Sequence, residues 1–141
     1  MRRILLASHG HFASGLKSSI DILAGESSGV TAIDAYVDNS DYTAAIREFI
    51  DSCTPNDEAV IFTDILGGSV FQKVALEQPE HHGVMHVTGM NLAVVMECLL
   101  TPEKLTKESV DEICAAAASQ LRRVQVLNEE ATDNSGEGFF S

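Results

Sequence analysis

The sequence predicts an α/β protein: a three-layer αβα sandwich around a mainly parallel four-stranded sheet. Short apolar runs alternate with segments of helical periodicity along the chain. These runs are apolar at consecutive positions, which is typical of strands that helices cover on both faces. A length of 141 residues fits one domain with a sizeable core.

Composition and charge exclude several classes of protein. Apolar residues make up 45% of the chain and charged residues 21%, as in ordinary globular proteins. The net charge of −12 argues against duplex nucleic acid or an anionic membrane as the main partner. Three cysteines without a C-x-x-C pattern indicate reduced thiols. The N-terminal apolar run is too short for a signal peptide, and no long apolar segment follows, so we expect a cytoplasmic protein without membrane insertion.

The first half of the chain contains two predicted strands, each followed by a helix. Residues 3–7 form a buried strand that stops at Ser8-His9-Gly10, and residues 12–24 form a helix that ends at Gly25. Residues 30–37, rich in β-branched side chains, form the second strand. Asn39 or Ser40 is the predicted cap of the next helix, whose apolar face contains Tyr42, Ala45, Ile46, Phe49 and Ile50.

The second half repeats this alternation. Residues 59–63 form the most apolar strand, and the following helix over residues 70–76 begins after Gly67-Gly68-Ser69. Residues 84–87 form the fourth strand, and residues 91–100 a short apolar helix. Three further features complete the chain: a helix capped by Thr106, a last short strand at residues 124–127, and an acidic, Gly/Ser-rich tail at residues 129–141 that we expect to be disordered.

Chemistry-bearing residues follow the first and third strands. In an open α/β sheet the ligand crevice lies beyond the carboxyl ends of the strands, where the strand order reverses. If the order is 2-1-3-4, the first and third strands are neighbours, and His9 and Asp64 share this crevice. A carboxylate that accepts the proton of one imidazole nitrogen leaves the other free as nucleophile, base or metal ligand.

Gly67, Gly68 and Ser69 supply a complementary feature at a helix start. Two glycines allow a nest of backbone N–H groups, and Ser69 adds a hydroxyl, so the loop suits an anion such as a phosphoryl group. The same residues also fit a plain turn and a structural histidine. A metal site from His9, His11, His81 and His82 is a weaker alternative, because the pattern lacks a suitably spaced further ligand.

These residues carry a resemblance to a known family. The stretches ILLASHG (residues 4–10), ASGL (13–16), VIFTDILGGSVF (60–71) and VTGMNLAVVMECL (87–99) resemble the IIA component of the mannose/fructose/sorbose class of the bacterial phosphoenolpyruvate:sugar phosphotransferase system. The resemblance covers residues 1–128 as one IIA domain. Two departures stand out: Val70 replaces a proline that many relatives carry, and Ile65-Leu66 replaces an aromatic residue.

The resemblance implies a role for each site residue. His9 would accept a phosphoryl group from the phosphocarrier protein and donate it to a histidine of a separate IIB component. Asp64 would orient the imidazole, while Gly67, Gly68 and Ser69 would face the phosphoryl group. The family also implies a homodimer that exchanges its terminal strand, here residues 124–127, and requires neither metal nor cofactor.

Other functions stay open at this point. The phosphoryl-transfer subunit of bacterial dihydroxyacetone kinase begins with a similar domain and passes its phosphoryl group to a nucleotide on another subunit. A small metal-handling enzyme such as a chelatase can also place histidines at a strand end. In a purely regulatory module, phosphorylated His9 would be a signal without an acceptor.

Overall fold

Four parallel strands form a single sheet in the order β2-β1-β3-β4. The computed structural model describes residues 1–26 and 29–126. In chain order the elements are β1 (Arg2–His9), α1 (Phe12–Ala24), β2 (Val30–Ala35), α2 (Tyr42–Ser52), β3 (Glu58–Thr63), α3 (Ser69–Leu76), a 3-10 helix (Pro79–His82), β4 (Val84–Thr88), α4 (Leu92–Leu100) and α5 (Lys107–Ala118). The predicted α/β sandwich and strand order are confirmed.

The central strand β1 is buried on both faces. Ile4 and Leu6 pack into a core with side chains of α1, α4 and α5, whereas Leu5 packs with α2 and α3. All three side chains are fully buried, and each such burial contributes about 1.5–3 kcal/mol. This two-sided packing explains why the strand is apolar at consecutive positions.

The turn between β1 and α1 fixes the backbone around His9. The buried Ser8 hydroxyl accepts a hydrogen bond from the Ala13 N–H at 2.7 Å, and it thereby satisfies one of the free donors at the start of α1. Gly10 adopts a left-handed φ of 57°, and its N–H donates to the Ala35 carbonyl at 2.8 Å. His9 is therefore held at the carboxyl end of the central strand.

The turn between β3 and α3 is equally constrained. Gly67 has a φ of 78°, and the Gly68 N–H donates to the Ile65 carbonyl at 3.0 Å. Val70 is fully buried and packs with Ala7 and Ala35. Its apolar contacts anchor the first turn of α3, although the residue cannot fix φ as proline does.

Strand β1 continues through Ser8 and His9, which pair with Asp34 and Ala35 of β2, rather than stopping at residue 7. Two other predicted boundaries are wrong for local reasons. Strand β2 ends at Ala35 rather than residue 37, because Tyr36 takes a left-handed φ of 68° that breaks the extended backbone. The cap of α2 is Asp41 rather than Asn39 or Ser40. Asp38 accepts the Ser40 N–H at 2.8 Å and engages Ser40 in a local turn, so Asp41 caps the helix instead.

The structure describes the C-terminal part of the chain only up to residue 126, so only some of the predictions for this part can be compared with it. Residues 121–126 adopt neither helix nor strand, and Val124 and Val126 are exposed. Residues 124–126 therefore do not form the predicted strand, because no strand among the described residues pairs with them. Residue 127, the last of the predicted strand, lies outside the described residues. The tail predicted at residues 129–141 also lies outside them. Within residues 1–26 and 29–126, no helix has the length and apolarity to cross a membrane.

Candidate active site

His9 and Asp64 meet at the carboxyl ends of the neighbouring strands β1 and β3. Asp64 Oδ2 lies 2.8 Å from His9 Nδ1 and 2.8 Å from the His9 backbone nitrogen. Because a carboxylate only accepts hydrogen bonds, the backbone N–H and the ring Nδ1–H both donate to the same oxygen. Asp64 thereby fixes the orientation of the imidazole and places its lone pair on Nε2.

The environment of Asp64 keeps this carboxyl ionised. Burial raises its pKa, but hydrogen bonds from the His9 backbone, the His9 ring and the Ile65 N–H outweigh burial, so the pKa lies below its usual 3.8. The Asp64 side chain is only 9% exposed, whereas that of His9 is 41% exposed. The aspartate is thus a fixed anion behind a half-exposed imidazole.

The predicted Gly-Gly-Ser loop lies against the other side of the imidazole. Ser69 Oγ is 3.1 Å from His9 Nε2. A Cβ atom built on Gly68 would lie 3.6 Å from His9 Cε1, an ordinary van der Waals contact, and 3.2 Å from the Ile65 carbonyl oxygen, which is tight. The Gly68 N–H is occupied by the Ile65 carbonyl, so this amide does not contribute to the predicted anion nest.

A pair of tyrosines, which the sequence reasoning missed, extends the site. Tyr36 Oη lies 2.8 Å from Ser69 Oγ and 2.9 Å from Tyr42 Oη. The Tyr36 ring also lies beside the His9 ring, with 5.4 Å between centroids and a 31° tilt. One signal could have identified Tyr36: it directly follows β2, the strand next to β1, at the same edge of the sheet.

A second imidazole–carboxylate pair lies beside the first. His11 Nδ1 is 3.0 Å from Asp34 Oδ2, and Asp34 also accepts the Ser14 N–H at 3.0 Å and the Ser14 hydroxyl at 2.6 Å. Burial raises the pKa of Asp34, but the hydrogen bonds with Ser14 and His11 lower it by more, so the pKa lies below its usual value. Sequence reasoning considered His11 only as a possible metal ligand and did not identify Asp34 as its partner.

The remaining histidines lie apart from this edge. His81 and His82 belong to the 3-10 helix before β4. His86 lies within β4, its Nε2 2.9 Å from Thr63 Oγ1, and burial lowers its pKa. In the part of the chain that the structure describes, no group of three or more His, Cys, Asp or Glu residues is arranged to hold a metal ion.

Exposed apolar side chains lie at the same edge of the sheet as the site. Phe12 begins α1, Val37 follows β2, and Ile65 and Leu66 follow β3, so all four lie at the carboxyl edge of the sheet. We call Phe12, Val37, Ile65 and Leu66 the apolar rim. Side chains of this kind around a polar centre are typical of a surface that other proteins contact.

Solved structures share this fold over most of their length. A Klebsiella pneumoniae protein described as a permease of the phosphoenolpyruvate-dependent sugar phosphotransferase system is 27% identical, with a TM-score of 0.77 over 86% of this chain and 90% of that one. A Streptococcus pneumoniae phosphotransferase IIA protein associated with a fucose utilization operon is 26% identical, with a TM-score of 0.72 over 86% of this chain and 92% of that one.

A third structure extends the likeness of the fold. The mannose/sorbose-specific IIA subunit from Enterococcus faecalis is 19% identical, with a TM-score of 0.75 over 90% of this chain and 97% of that one. The family model described as the fructose IIA component of the phosphotransferase system matches residues 3–118. Since this match spans β1 to α5 with both halves of the site, the chain belongs to the mannose/fructose/sorbose family of phosphotransferase system IIA components.

Proposed function

We propose that His9 Nε2 accepts a phosphoryl group from the phosphocarrier protein and donates it to a separate IIB component. One observation carries the proposal: Asp64 Oδ2 bonds both Nδ1 and the backbone nitrogen of His9 at 2.8 Å. This arrangement leaves Nε2 as the nitrogen with the free electron pair, on a half-exposed ring at the ligand edge of the sheet.

Transfer needs an in-line approach of the donor to Nε2. The Nε2–P bond forms as the donor's N–P bond breaks, and the electron pair of the broken bond stays with the donor nitrogen. Positive charge then develops on the His9 ring, and the ionised Asp64 stabilises it through the Nδ1–H bond. The proton on Nδ1 stays in that bond throughout.

The phosphoryl oxygens require donors in a chain of net charge −12. The Ser69 hydroxyl is one candidate, because it already lies 3.1 Å from Nε2. The first N–H groups of α3 are others, since Gly68 caps this helix without a side chain and the helix dipole favours an anion there. Gly67 and Gly68 would act through the shape of the loop rather than through the Gly68 amide.

The apolar rim supports the partner assignment. Its four side chains lie at the same edge of the sheet as the half-exposed His9 ring, so a phosphocarrier protein or a IIB component that docks on them could present its own histidine to His9. Both partners operate in the cytoplasm, which is therefore the proposed location. The sugar itself is determined by the permease partners.

Homodimer formation is a further part of the proposal. β4 lies at one edge of the sheet, and the predicted strand at residues 124–127 includes exposed Val124 and Val126. Exchange of this strand between two copies would cover an open sheet edge. Sedimentation equilibrium of the full chain and of V124D/V126D tests this: we expect a dimer and a weakened dimer respectively, whereas a monomeric wild-type protein would contradict it.

The function is tested by incubating the protein with phosphoenolpyruvate and the two general phosphotransferase proteins. We expect mass spectrometry to find one acid-labile phosphoryl group on His9. A IIB component should then remove the group, whereas the nucleotide-bearing subunit of a dihydroxyacetone kinase should not. Labelling at another residue would refute the role of His9. Transfer of the phosphoryl group only to the nucleotide would refute the IIB component as its recipient.

A further inference from the structure

A row of three hydroxyl groups leads to the nucleophilic nitrogen. Ser69 Oγ lies 3.1 Å from His9 Nε2, Tyr36 Oη lies 2.8 Å from Ser69 Oγ, and Tyr42 Oη lies 2.9 Å from Tyr36 Oη. The family resemblance accounts for His9, Asp64 and Ser69. It assigns nothing to either tyrosine.

The backbone at Tyr36 is unusual for its residue type. Its φ is 68°, a left-handed conformation that bulky side chains seldom adopt. The turn brings the Tyr36 ring beside the imidazole of His9, and T-shaped packing against Tyr42 supports it on the other side, at 5.3 Å between centroids. An unfavourable conformation that places a hydroxyl next to a reactive group is a reason to look for a role.

The direction of the hydrogen bonds follows from the His9 tautomer. Nδ1–H donates to Asp64, so in the neutral ring Nε2 must accept, and the Ser69 hydroxyl donates to it. The single Ser69 proton is then used, so Ser69 Oγ accepts from the Tyr36 hydroxyl. Tyr36 Oη in turn accepts from Tyr42.

We propose that Tyr36 is a positioning residue for phosphoryl transfer, because its hydroxyl holds the Ser69 proton toward the reacting centre. In the resting protein the Ser69 hydroxyl donates this proton in a hydrogen bond to the lone pair of His9 Nε2. When Nε2 forms its bond to phosphorus, the lone pair is consumed, and the same Ser69 proton turns to a phosphoryl oxygen while Tyr36 continues to donate to Ser69. This proposal rests on the proposed function of His9.

The acidities of the two tyrosines agree with Tyr42 as donor and Tyr36 as acceptor in the hydrogen bond between them. Burial and the contact with Tyr36 raise the pKa of Tyr42 to about 12, so Tyr42 holds its proton firmly as the outer donor. Bonds with Ser69 and Tyr42 lower the pKa of Tyr36. Of the two hydroxyls, that of Tyr36 is therefore the more acidic.

The test uses two phosphoryl donors, because exposed Tyr36 could also contact a protein partner. With phosphoramidate, whose nitrogen carries three protons in its zwitterionic form, the Nε2–P bond forms as the P–N bond breaks, and neutral ammonia leaves with the electron pair of that bond. No protein surface is involved. We expect Y36F, which keeps the ring, to slow His9 phosphorylation about tenfold with both phosphoramidate and the phosphocarrier protein, at unchanged KM. Y42F should slow both reactions by about twofold.

A double-mutant cycle separates positioning from packing. If Tyr36 acts through Ser69, then S69A and S69A/Y36F should react at the same rate. Slowing with the protein donor alone would make Tyr36 a docking residue and overturn the proposal, as would a Y36F rate equal to wild type or an additive double mutant. Labelling of the wild-type protein at His9 by phosphoramidate but not by the general proteins would refute the proposed function. The rates of Y36F and wild type with phosphoramidate would still test the role of Tyr36.

Discussion

His9 and His11 lie two residues apart, and each bonds an aspartate through Nδ1, at 2.8 Å and 3.0 Å. The pairs differ on the Nε2 side of the ring. His9 is 41% exposed and has the Ser69 hydroxyl at Nε2, whereas His11 is 79% exposed at the start of α1. An imidazole–carboxylate pair alone therefore does not define this site. The group that faces Nε2 distinguishes the His9 pair from the His11 pair.

The aspartates differ as well. Asp64 is 9% exposed and holds both the ring and the backbone of His9, while Asp34 is 16% exposed and is held mainly by Ser14. Asp64 therefore orients the imidazole of His9, the proposed nucleophile, and Asp34 connects β2 to α1. Substitutions made in matched pairs at the two sites test this difference.

The largest expected difference is between the two histidines. H9A should lose phosphorylation by phosphoenolpyruvate and the general proteins by on the order of 10³-fold or more, because no other group replaces the nucleophile. H11A should stay within about twofold of wild type. The measurement is the initial rate of radiolabel incorporation, and substantial labelling of H9A, or loss of labelling in H11A, would reverse the assignment.

The aspartates should give the next largest difference. D64N removes the anion that fixes the tautomer, so transfer should slow by about 10–100-fold while the fold persists. D34N should transfer at a rate within about twofold of wild type. Stopped-flow or quenched transfer kinetics, with circular dichroism to verify folding, measure both variants. Equal effects of D64N and D34N would show that neither aspartate is specific to the reaction.

A glycine pair tests the close approach of the loop. G68A places a Cβ 3.2 Å from the Ile65 carbonyl oxygen, so the turn between Ile65 and Gly68 must shift by a few tenths of an ångström, and transfer should slow by about tenfold because Ser69 follows directly. Gly15 in α1 has no atom within 4 Å of an added Cβ. G15A should therefore keep the transfer rate and raise the free energy of unfolding by about 0.5–1 kcal/mol. A fully active G68A would contradict the positional role of this loop.

The smallest expected effect concerns stability in acid. The pKa of Asp64 and that of Asp34 lie below 3.8 in the folded protein, so the unfolded chain binds more protons as the pH falls into this range. Each carboxylate therefore stabilises the fold above its unfolded pKa, and this contribution is lost as the pH falls through the folded value. Measured by urea unfolding between pH 6 and pH 3.5, the free energy of unfolding should depend less on pH for D34N than for wild type. An equal pH dependence of the two proteins would contradict this account.

The sequence predicted most of this architecture because its local signals agree with the tertiary packing. Gly25 ends α1, Asn91 and Thr106 cap α4 and α5, and β1 is apolar throughout because both of its faces are covered. The strand order then brought His9 to Asp64. Each of these features depends on residues that are close in the chain or on a general rule of sheet topology.

The features that sequence reasoning missed depend on contacts between distant segments. Tyr36 joins the site only because its φ of 68° turns it toward Ser69, which lies 33 positions along the chain. The pairing of His11 with Asp34 likewise needs the register that sets Ser8 opposite Asp34. The strand at residues 124–127 has no pairing partner within the described residues, so its exchange in a dimer stays a prediction.

The most direct measurement is heteronuclear NMR of the protein labelled with ¹⁵N at histidine and phosphorylated by phosphoenolpyruvate and the general proteins. Long-range ¹H–¹⁵N correlations identify which ring nitrogen carries phosphorus. The account predicts a single phosphorylated imidazole, His9, modified at Nε2 with Nδ1 still protonated toward Asp64. Phosphorus on Nδ1 of His9, or on His11, would contradict it.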